Sequence, residues 1–202
     1  MRTIRKEGMH YEYKSTIKKK EDIKKLENYF YERKEYRNYL LVVMGLNTAL
    51  RISDLLQLKW TDVYNKETKH FFTHIHLTEQ KTGKRTMILL NSNVKKALKK
   101  YGKHIGKKTT SSFIFFNSQN PEKPISRVQA YRIIQRATKD LDIDGQISCH
   151  SLRKTFGYQA WKEGAEPALL MSVFNHSSYS ITKRYLCIDQ DDKDQLFLKI
   201  NL

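Results

Sequence analysis

Apolar residues recur along this chain with a helical period over most of its length. From Glu21 the spacing of Ile23, Leu26, Tyr29 and Phe30 places apolar side chains on one helical face, and the nearly continuous run Tyr39 to Leu46 reads as a buried helix. After Arg51, the positions of Ile52, Leu55 and Leu56 predict a short helix ending near Leu58, with Trp60 and Val63 carrying the apolar pattern into a turn. The period then changes. Residues 71–77 and 86–90 are rich in β-branched and aromatic side chains and flank Lys81-Thr82-Gly83-Lys84, whose glycine suits a tight turn, so they predict a β-hairpin with lysines at its tip.

Helices return at 92–104, at 126–141 after the turn signal Asn120-Pro121, and at 151–162, where Gly164 stops the last of them. Pro167 opens a helix running to Phe174, Ser177 or Ser178 caps the next, and the acidic run Asp189 to Asp194 precedes a final apolar turn, Leu196 to Ile200. Residues 1–20 are basic, mixed and aperiodic, and read as an extended arm lying on the surface or on a ligand. There is no internal repeat and no low-complexity linker, and 202 residues suit one compact domain, residues 21–202, beyond that arm.

Charge narrows the class of partner. Lys and Arg total 38 against 21 Asp and Glu, a formal +17 that points to a polyanion. Residues 81–108 carry ten of the basic residues and no acid, as a phosphate-facing surface or a solvated lysine-rich helix face would. Two cysteines, Cys149 and Cys187, cannot form a disulfide framework, and the basic start lacks the apolar core of a signal peptide, so an intracellular protein is expected. No apolar run approaches the roughly 20 residues needed to cross a bilayer.

Cutting a phosphodiester without a metal takes a nucleophile, positive charge on the non-bridging oxygens and an acid for the leaving alkoxide. Arginine suits the phosphate through its planar fork of donors, while histidine and lysine move protons. Three segments supply these types. Thr48 to Leu56 carries Arg51 at a helix start, with Asp54 at helical reach; the two could also be a plain ion pair bracing the helix. His150-Ser151-Leu152-Arg153 sets His150 and Arg153 three apart near a helix start, where both can face one anion, or where Ser151 caps the helix and His150 packs. In the third, Phe174 to Leu186, His176 precedes Tyr185 by nine positions. Tyrosine, with an ordinary pKa of about 10, attacks phosphorus only where cations and a base favour the phenolate.

Together the three segments resemble the tyrosine recombinase family, also called phage integrases. That family carries its first arginine in a stretch like Thr-Gly-Leu-Arg-Ile-Ser-Glu-Leu followed by Leu-x-Trp-x-Asp; Leu50 to Leu55 and Leu58 to Asp62 match it. The family's His-x-x-Arg box matches His150 to Arg153, and its Gly-His-Ser-Ser and Tyr-Leu boxes match His176 to Leu186, with Asn175 where glycine is usual. The match runs from about Glu21 to the chain end. In size the chain resembles the small fimbrial-phase invertases, with only its basic arm where most members carry a separate DNA-clamping domain.

The resemblance implies a tyrosine recombinase catalytic-domain fold, mainly α with a small three-stranded antiparallel β-sheet (α+β). It implies that Arg51 and Arg153 clamp the scissile phosphate, His176 hydrogen-bonds one of its oxygens, His150 assists proton transfer and Tyr185 attacks. The family's hairpin lysine, which protonates the departing 5′ oxygen, matches Lys81, with Lys84 as the fallback; Asp54 orients the site. Lys84, Arg85, Lys95, Lys96, Lys99 and Lys100 are the candidate DNA contacts of the basic stretch. No metal or cofactor is implied. The expected partner is a double-stranded recombination site bound by a homotetramer of a protein monomeric in solution, with accessory DNA-bending proteins, in the bacterial cytoplasm at the nucleoid. The tail from Asp189 to Leu202, acidic and then apolar, would pack into a neighbouring protomer.

Other features mean less. His70, His74 and His76 suit a solvated strand face better than zinc, because no thiol or carboxylate completes a set. Cys149 and Cys187 read as packing residues, as do Tyr29, Phe30, Tyr31, Tyr36 and Tyr39. Two other functions stay open: a non-catalytic DNA-binding regulator that keeps the fold, and a strand-relaxing topoisomerase of the type IB kind.

Overall fold

In the computed structural model, which describes residues 15–106 and 112–200, the chain opens with α1 (Lys20–Glu32) and α2 (Tyr36–Asn47). The apolar run that predicted a buried helix makes α2 the centre of the fold. Leu40, Leu41 and Met44 are fully buried and share a cluster with Leu98 and Tyr101, while Val42 and Leu46 face the opposite way, onto Leu26, Phe30, Ile134 and Leu152.

After α3 (Ile52–Gln57) and a 3₁₀ turn at Trp60–Asp62 come β1 (Tyr64–Asn65), β2 (His70–Phe71), β3 (His74–Thr78) and β4 (Arg85–Leu89), then α4 (Ser92–Ile105), β5 (Phe116–Asn117) and β6 (Asn120–Pro124). The class is as expected, but the strands form three separate two-stranded antiparallel pairs rather than one three-stranded sheet: β1 with β2, β3 with β4, β5 with β6. The predicted strand 71–77 changes partner in its middle. The Phe72 N–H bonds Val63 O at 2.9 Å, whereas Thr73 O accepts from Leu90 N–H at 2.8 Å, so Phe71 and His74 belong to different pairs. The turn signal Asn120-Pro121 lies at the start of β6, where a two-stranded edge tolerates proline.

The C-terminal half is helical: α5 (Arg127–Asp140), α6 (Cys149–Lys162), α7 (Pro167–Val173), α8 (Tyr179–Leu186) and α9 (Gln190–Lys199). α6 crosses α2 closely at Gly45, where a Cβ would stand 2.7 Å from Leu152 Cδ1. That crossing sets Arg153, the next residue, beside the C-terminal end of α2. A third cluster of Ala49, Leu170, Phe174 and Leu186 packs α7 and α8 onto this end of the molecule, with Gly157 leaving room for the Phe174 ring, 2.7 Å from where a Cβ would be. The acidic run, expected before a final apolar turn, opens α9 ahead of that turn: Asp189 Oδ1 accepts the Asp192 N–H at 3.2 Å and the acids face the positive helix end. Leu196, Phe197, Leu198 and Ile200 are left exposed along α9.

Residues 1–14 of the basic arm, Lys107 and Lys108 of the basic stretch, and residues 201–202 lie outside the described residues. The end of the arm is packed: Ile17 is buried in the second cluster, its N–H bonds Thr155 Oγ1 at 3.0 Å, and Lys18 pairs with Asp192 at 2.8 Å and with Asp189. Among the described residues no helix is long and apolar enough to cross a membrane.

Candidate active site

Arg51 stands at the N-cap of α3, two residues after Ala49, whose φ of +54° is the left-handed turn that glycine would take most easily. This turn aims Ala49 O at Arg153, which donates Nη1 to it and Nη2 to Phe174 O at 2.8 Å. Arg153 is only 2 % exposed, and its guanidinium lies 4.9 Å above the Phe174 ring. Burial pulls its pKa down to about 10 with help from the Arg51 charge, while Tyr185, in hydrogen-bonding reach, and Glu79 act in the other direction. Arg153 therefore remains a cation at neutral pH.

His176 follows Asn175, whose φ is +52°, a conformation asparagine accepts where the family pattern has glycine. Its ring stacks on Phe174 at 5.2 Å and meets Tyr185 edge-on at 4.4 Å. Burial, and then the charges of Arg153 and Arg51, push its pKa down to about 4, so the ring is neutral at pH 7. Nδ1 lies 2.9 Å from the buried Thr182 hydroxyl; when that hydroxyl donates, the ring carries its proton on Nε2.

Tyr185 sits in the last turn of α8, anchored by the buried Leu186 beside it, and its ring is 4.9 Å from that of His150. His150 and Arg153 come from the first turns of α6, and Ser148, not Ser151, occupies the N-cap; Ser151 Oγ instead accepts the Ser148 N–H at 3.0 Å.

The hairpin approaches from the other side. Asp54 is no partner of Arg51: its Oδ1 accepts the Gln80 N–H at 2.9 Å, tying α3 to the hairpin. Arg51 instead meets Glu79, with Nη1 2.6 Å from Oε2 in a charge contact rather than an aligned N–H···O bond. Glu79 is 3 % exposed and also accepts from Thr82 Oγ1 at 2.5 Å. Lys81 is exposed at the tip, close enough for its charge to lower the His176 pKa further. Lys84 and Arg85 are exposed on the return side.

Five buried side-chain polar atoms lack a hydrogen-bond partner among the described residues, and three are nitrogens of this site: Arg51 Nη1, Arg153 Nε and His176 Nε2. Arg51 Nη1 has the Glu79 carboxylate as its ion-pair partner, whereas Arg153 Nε and His176 Nε2 lie unpaired beside one phenol, which is costly unless an anion meets them. Sequence reasoning brought Arg51, Arg153, His150, His176 and Tyr185 to one place; it missed Glu79, Thr182 and Phe174. Of these, only Glu79 left a trace, an acid two residues before Lys81.

The lysines of α4 form a separate group. Lys100 lies over the Tyr31 and Tyr36 rings at 5.1 and 4.9 Å, and Lys99 joins Lys66, Lys69 and Lys103 around a groove of about 1050 Å³ beside Trp60. His74 and His76 have ring centroids 6.4 Å apart, and no three potential metal ligands converge among the described residues.

Fold and site together define a mainly helical domain that gathers arginine and histidine side chains beside one tyrosine. The chain belongs to the phage integrase family, whose pattern its residues 18–191 match. A Bacillus subtilis protein described as "Probable integrase/recombinase YoeC" is 39 % identical over 175 residues, covering 87 % of this chain and 90 % of that protein. The type 1 fimbriae regulatory protein FimE of Escherichia coli is 28 % identical over 151 residues, 74 % of this chain and 73 % of FimE. Among solved structures, XerA recombinase superposes with a TM-score of 0.76 at 19 % identity over 94 % of this chain and 66 % of that one. The XerH site-specific recombinase bound to a palindromic difH substrate gives 0.73 at 17 % identity, over 88 % and 51 %. The chain thus spans about half to two thirds of these solved structures, and at such identities they speak to fold alone.

Proposed function

We propose that this protein is a site-specific DNA recombinase, an integrase or invertase, that cuts and rejoins strands through a 3′-phosphotyrosine. The observation that carries the reading is the pair of buried nitrogens left without a hydrogen-bond partner among the described residues, Arg153 Nε and His176 Nε2, beside Tyr185 and within reach of the Arg51 charge. A phosphodiester supplies the acceptors they lack.

On this reading Arg51 and Arg153 hold the non-bridging oxygens and oppose the charge that builds on them during attack, work that typically gives about 10²–10³ in rate per donor. Neutral His176 donates Nε2–H to one oxygen. The Tyr185 oxygen forms a bond to phosphorus as its proton passes to His150, and the bond from phosphorus to the 5′ oxygen breaks as Lys81 delivers a proton to it. A phosphotyrosine and a free 5′ hydroxyl result, and the new ester keeps the energy needed for another strand to attack. Asp54 steadies the hairpin through Gln80. Lys84, Arg85, Lys95, Lys96, Lys99 and Lys100 contact the DNA backbone, the basic arm of residues 1–20 adds to that grip on the catalytic domain of residues 21–202, and four protomers, monomeric in solution, assemble on two duplexes with accessory DNA-bending proteins.

The test uses nicked suicide duplexes recovered from a randomised pool by covalent capture. The wild-type protein should give a protein–DNA adduct that survives denaturation, and Tyr185→Phe should give none. An adduct of equal yield with Tyr185→Phe would sink the reading, and site-independent relaxation of supercoiled plasmid would move it to a topoisomerase.

A further inference from the structure

We propose that Glu79 is a positioning residue for strand cleavage: its buried carboxylate fixes the Lys81 hairpin relative to Arg51 and so sets where the leaving-group acid stands. The inference rests on the roles assigned to Tyr185 and Lys81 above.

A glutamate that is 3 % exposed needs partners, and Glu79 draws them from its own turn and from two remote parts of the chain. Arg51 Nη1 lies 2.6 Å away, the Thr82 hydroxyl donates at 2.5 Å, and the Asn175 amide is within hydrogen-bonding reach. Burial alone would raise the carboxyl pKa; the hydrogen bonds from Thr82 and Asn175 and the Arg51 contact with its charge outweigh it and hold the group below its ordinary value, so the ties are those of a carboxylate. The same residue closes the turn with its backbone, donating its N–H to Lys84 O at 3.0 Å and accepting the Gly83 N–H at 2.9 Å. The tip that carries Lys81 is therefore held to the body through Glu79 and through the Gln80 N–H on Asp54.

Lys81 itself is exposed on a flexible stem, so the backbone of the tip decides where its ammonium can reach. Proton delivery is sensitive to displacements of about an ångström. Asn175 fits the same account. Glycine, usual in the family pattern at this place, would adopt the φ of +52° with less strain but has no amide to offer Glu79. The buried acid and the departure from glycine therefore belong together.

A carboxylate that only neutralised Arg51 would act on the phosphate, whatever the leaving group. One that sets the acid matters only when the leaving group needs a proton. Single-turnover cleavage is compared on two captured suicide duplexes, one with the ordinary 5′ oxygen and one with sulfur in its place, since a thiol with a pKa of about 8.5 leaves without an acid. General acids supply about 10²–10⁴ in rate. On the oxygen substrate Glu79→Ala should lose about 10- to 100-fold and Thr82→Val roughly 3- to 10-fold; on sulfur both should come within about threefold of wild type, as Lys81→Ala should. Thr82 is exposed, so its valine variant leaves the core intact. Defects of equal size on both substrates would overturn the proposal and leave Glu79 a partner of Arg51 alone. A wild-type protein that gives no Tyr185-dependent adduct on either substrate would overturn the functional reading instead.

Discussion

His176 and Tyr185 meet ring edge to ring face, with centroids 4.4 Å apart and planes at 66°. One short segment delivers both, because Thr182, which holds His176 Nδ1 at 2.9 Å, lies one helical turn before Tyr185 on α8. The histidine and the tyrosine are thereby fixed to each other before any distant part of the chain contributes.

The first consequence concerns pH. With its pKa near 4, His176 binds a proton less readily in the folded protein than in the unfolded chain, where about 6.5 applies. The stability it contributes is full above about pH 6.5 and is lost as pH falls towards 4, since the unfolded state takes up the proton first. Urea unfolding at about pH 7.5 and 5 should therefore show a shallower pH dependence for His176→Asn than for wild type. An identical dependence would mean that the ring is not held neutral by its surroundings.

Arg153 donates to two carbonyls, so Arg153→Lys removes more than the phosphate contact proposed for it. A lysine offers one point charge where the fork spans Ala49 O and Phe174 O. Leaving a buried carbonyl unpaired should cost about 1–3 kcal/mol in denaturant unfolding, and adduct formation should drop by about 10² or more. A variant with wild-type stability would contradict the two-carbonyl arrangement.

Lys81 and Lys84 flank the same turn, yet only Lys81 precedes Thr82 and its tie to Glu79. Lys81→Ala should slow cleavage by about 10² or more and Lys84→Ala by less than about tenfold, measured as adduct formed in a single turnover. The reverse order would transfer the acid to Lys84.

At Gly45 the prediction is purely one of packing. The new methyl of Gly45→Ala would press on Leu152, and stability should fall by about 1–3 kcal/mol. A gain in stability, as helix propensity alone would give, would show that α2 and α6 can separate without cost.

The exposed apolar face of α9 belongs to assembly on the proposed reading. Phe197 and Leu198 are 75 % and 73 % exposed, so replacing both by aspartate should leave the melting temperature unchanged. Deleting residues 190–202, or making that double substitution, should lower the yield of paired-duplex complexes in native gels. Undiminished pairing would remove α9 from the contact between protomers.

Where local pattern decided structure, the sequence was readable: the apolar spacing over 151–162 appears as Cys149–Lys162, and the hairpin about Lys81 to Lys84 as His74–Thr78 with Arg85–Leu89. β5 and β6 left no such mark, being short, polar and interrupted by proline, and the break at Phe72 depends on which neighbour offers a carbonyl. The site shows the same division. Arg51, Arg153, His176 and Tyr185 stand in motifs that resemble the family's boxes, whereas Glu79 looks like any polar strand residue until Arg51 and Asn175, 28 positions before it and 96 after, close over it. Burial of an acid is a property of the fold and has no local signature.

Arg153 finds its two carbonyl acceptors 104 residues upstream and 21 downstream. On the proposed reading, a nascent or partly unravelled polypeptide thus owns the tyrosine but no grip on phosphate. Such a chain could not nick DNA, and the proposed power to sever a strand would arrive only once folding is finished.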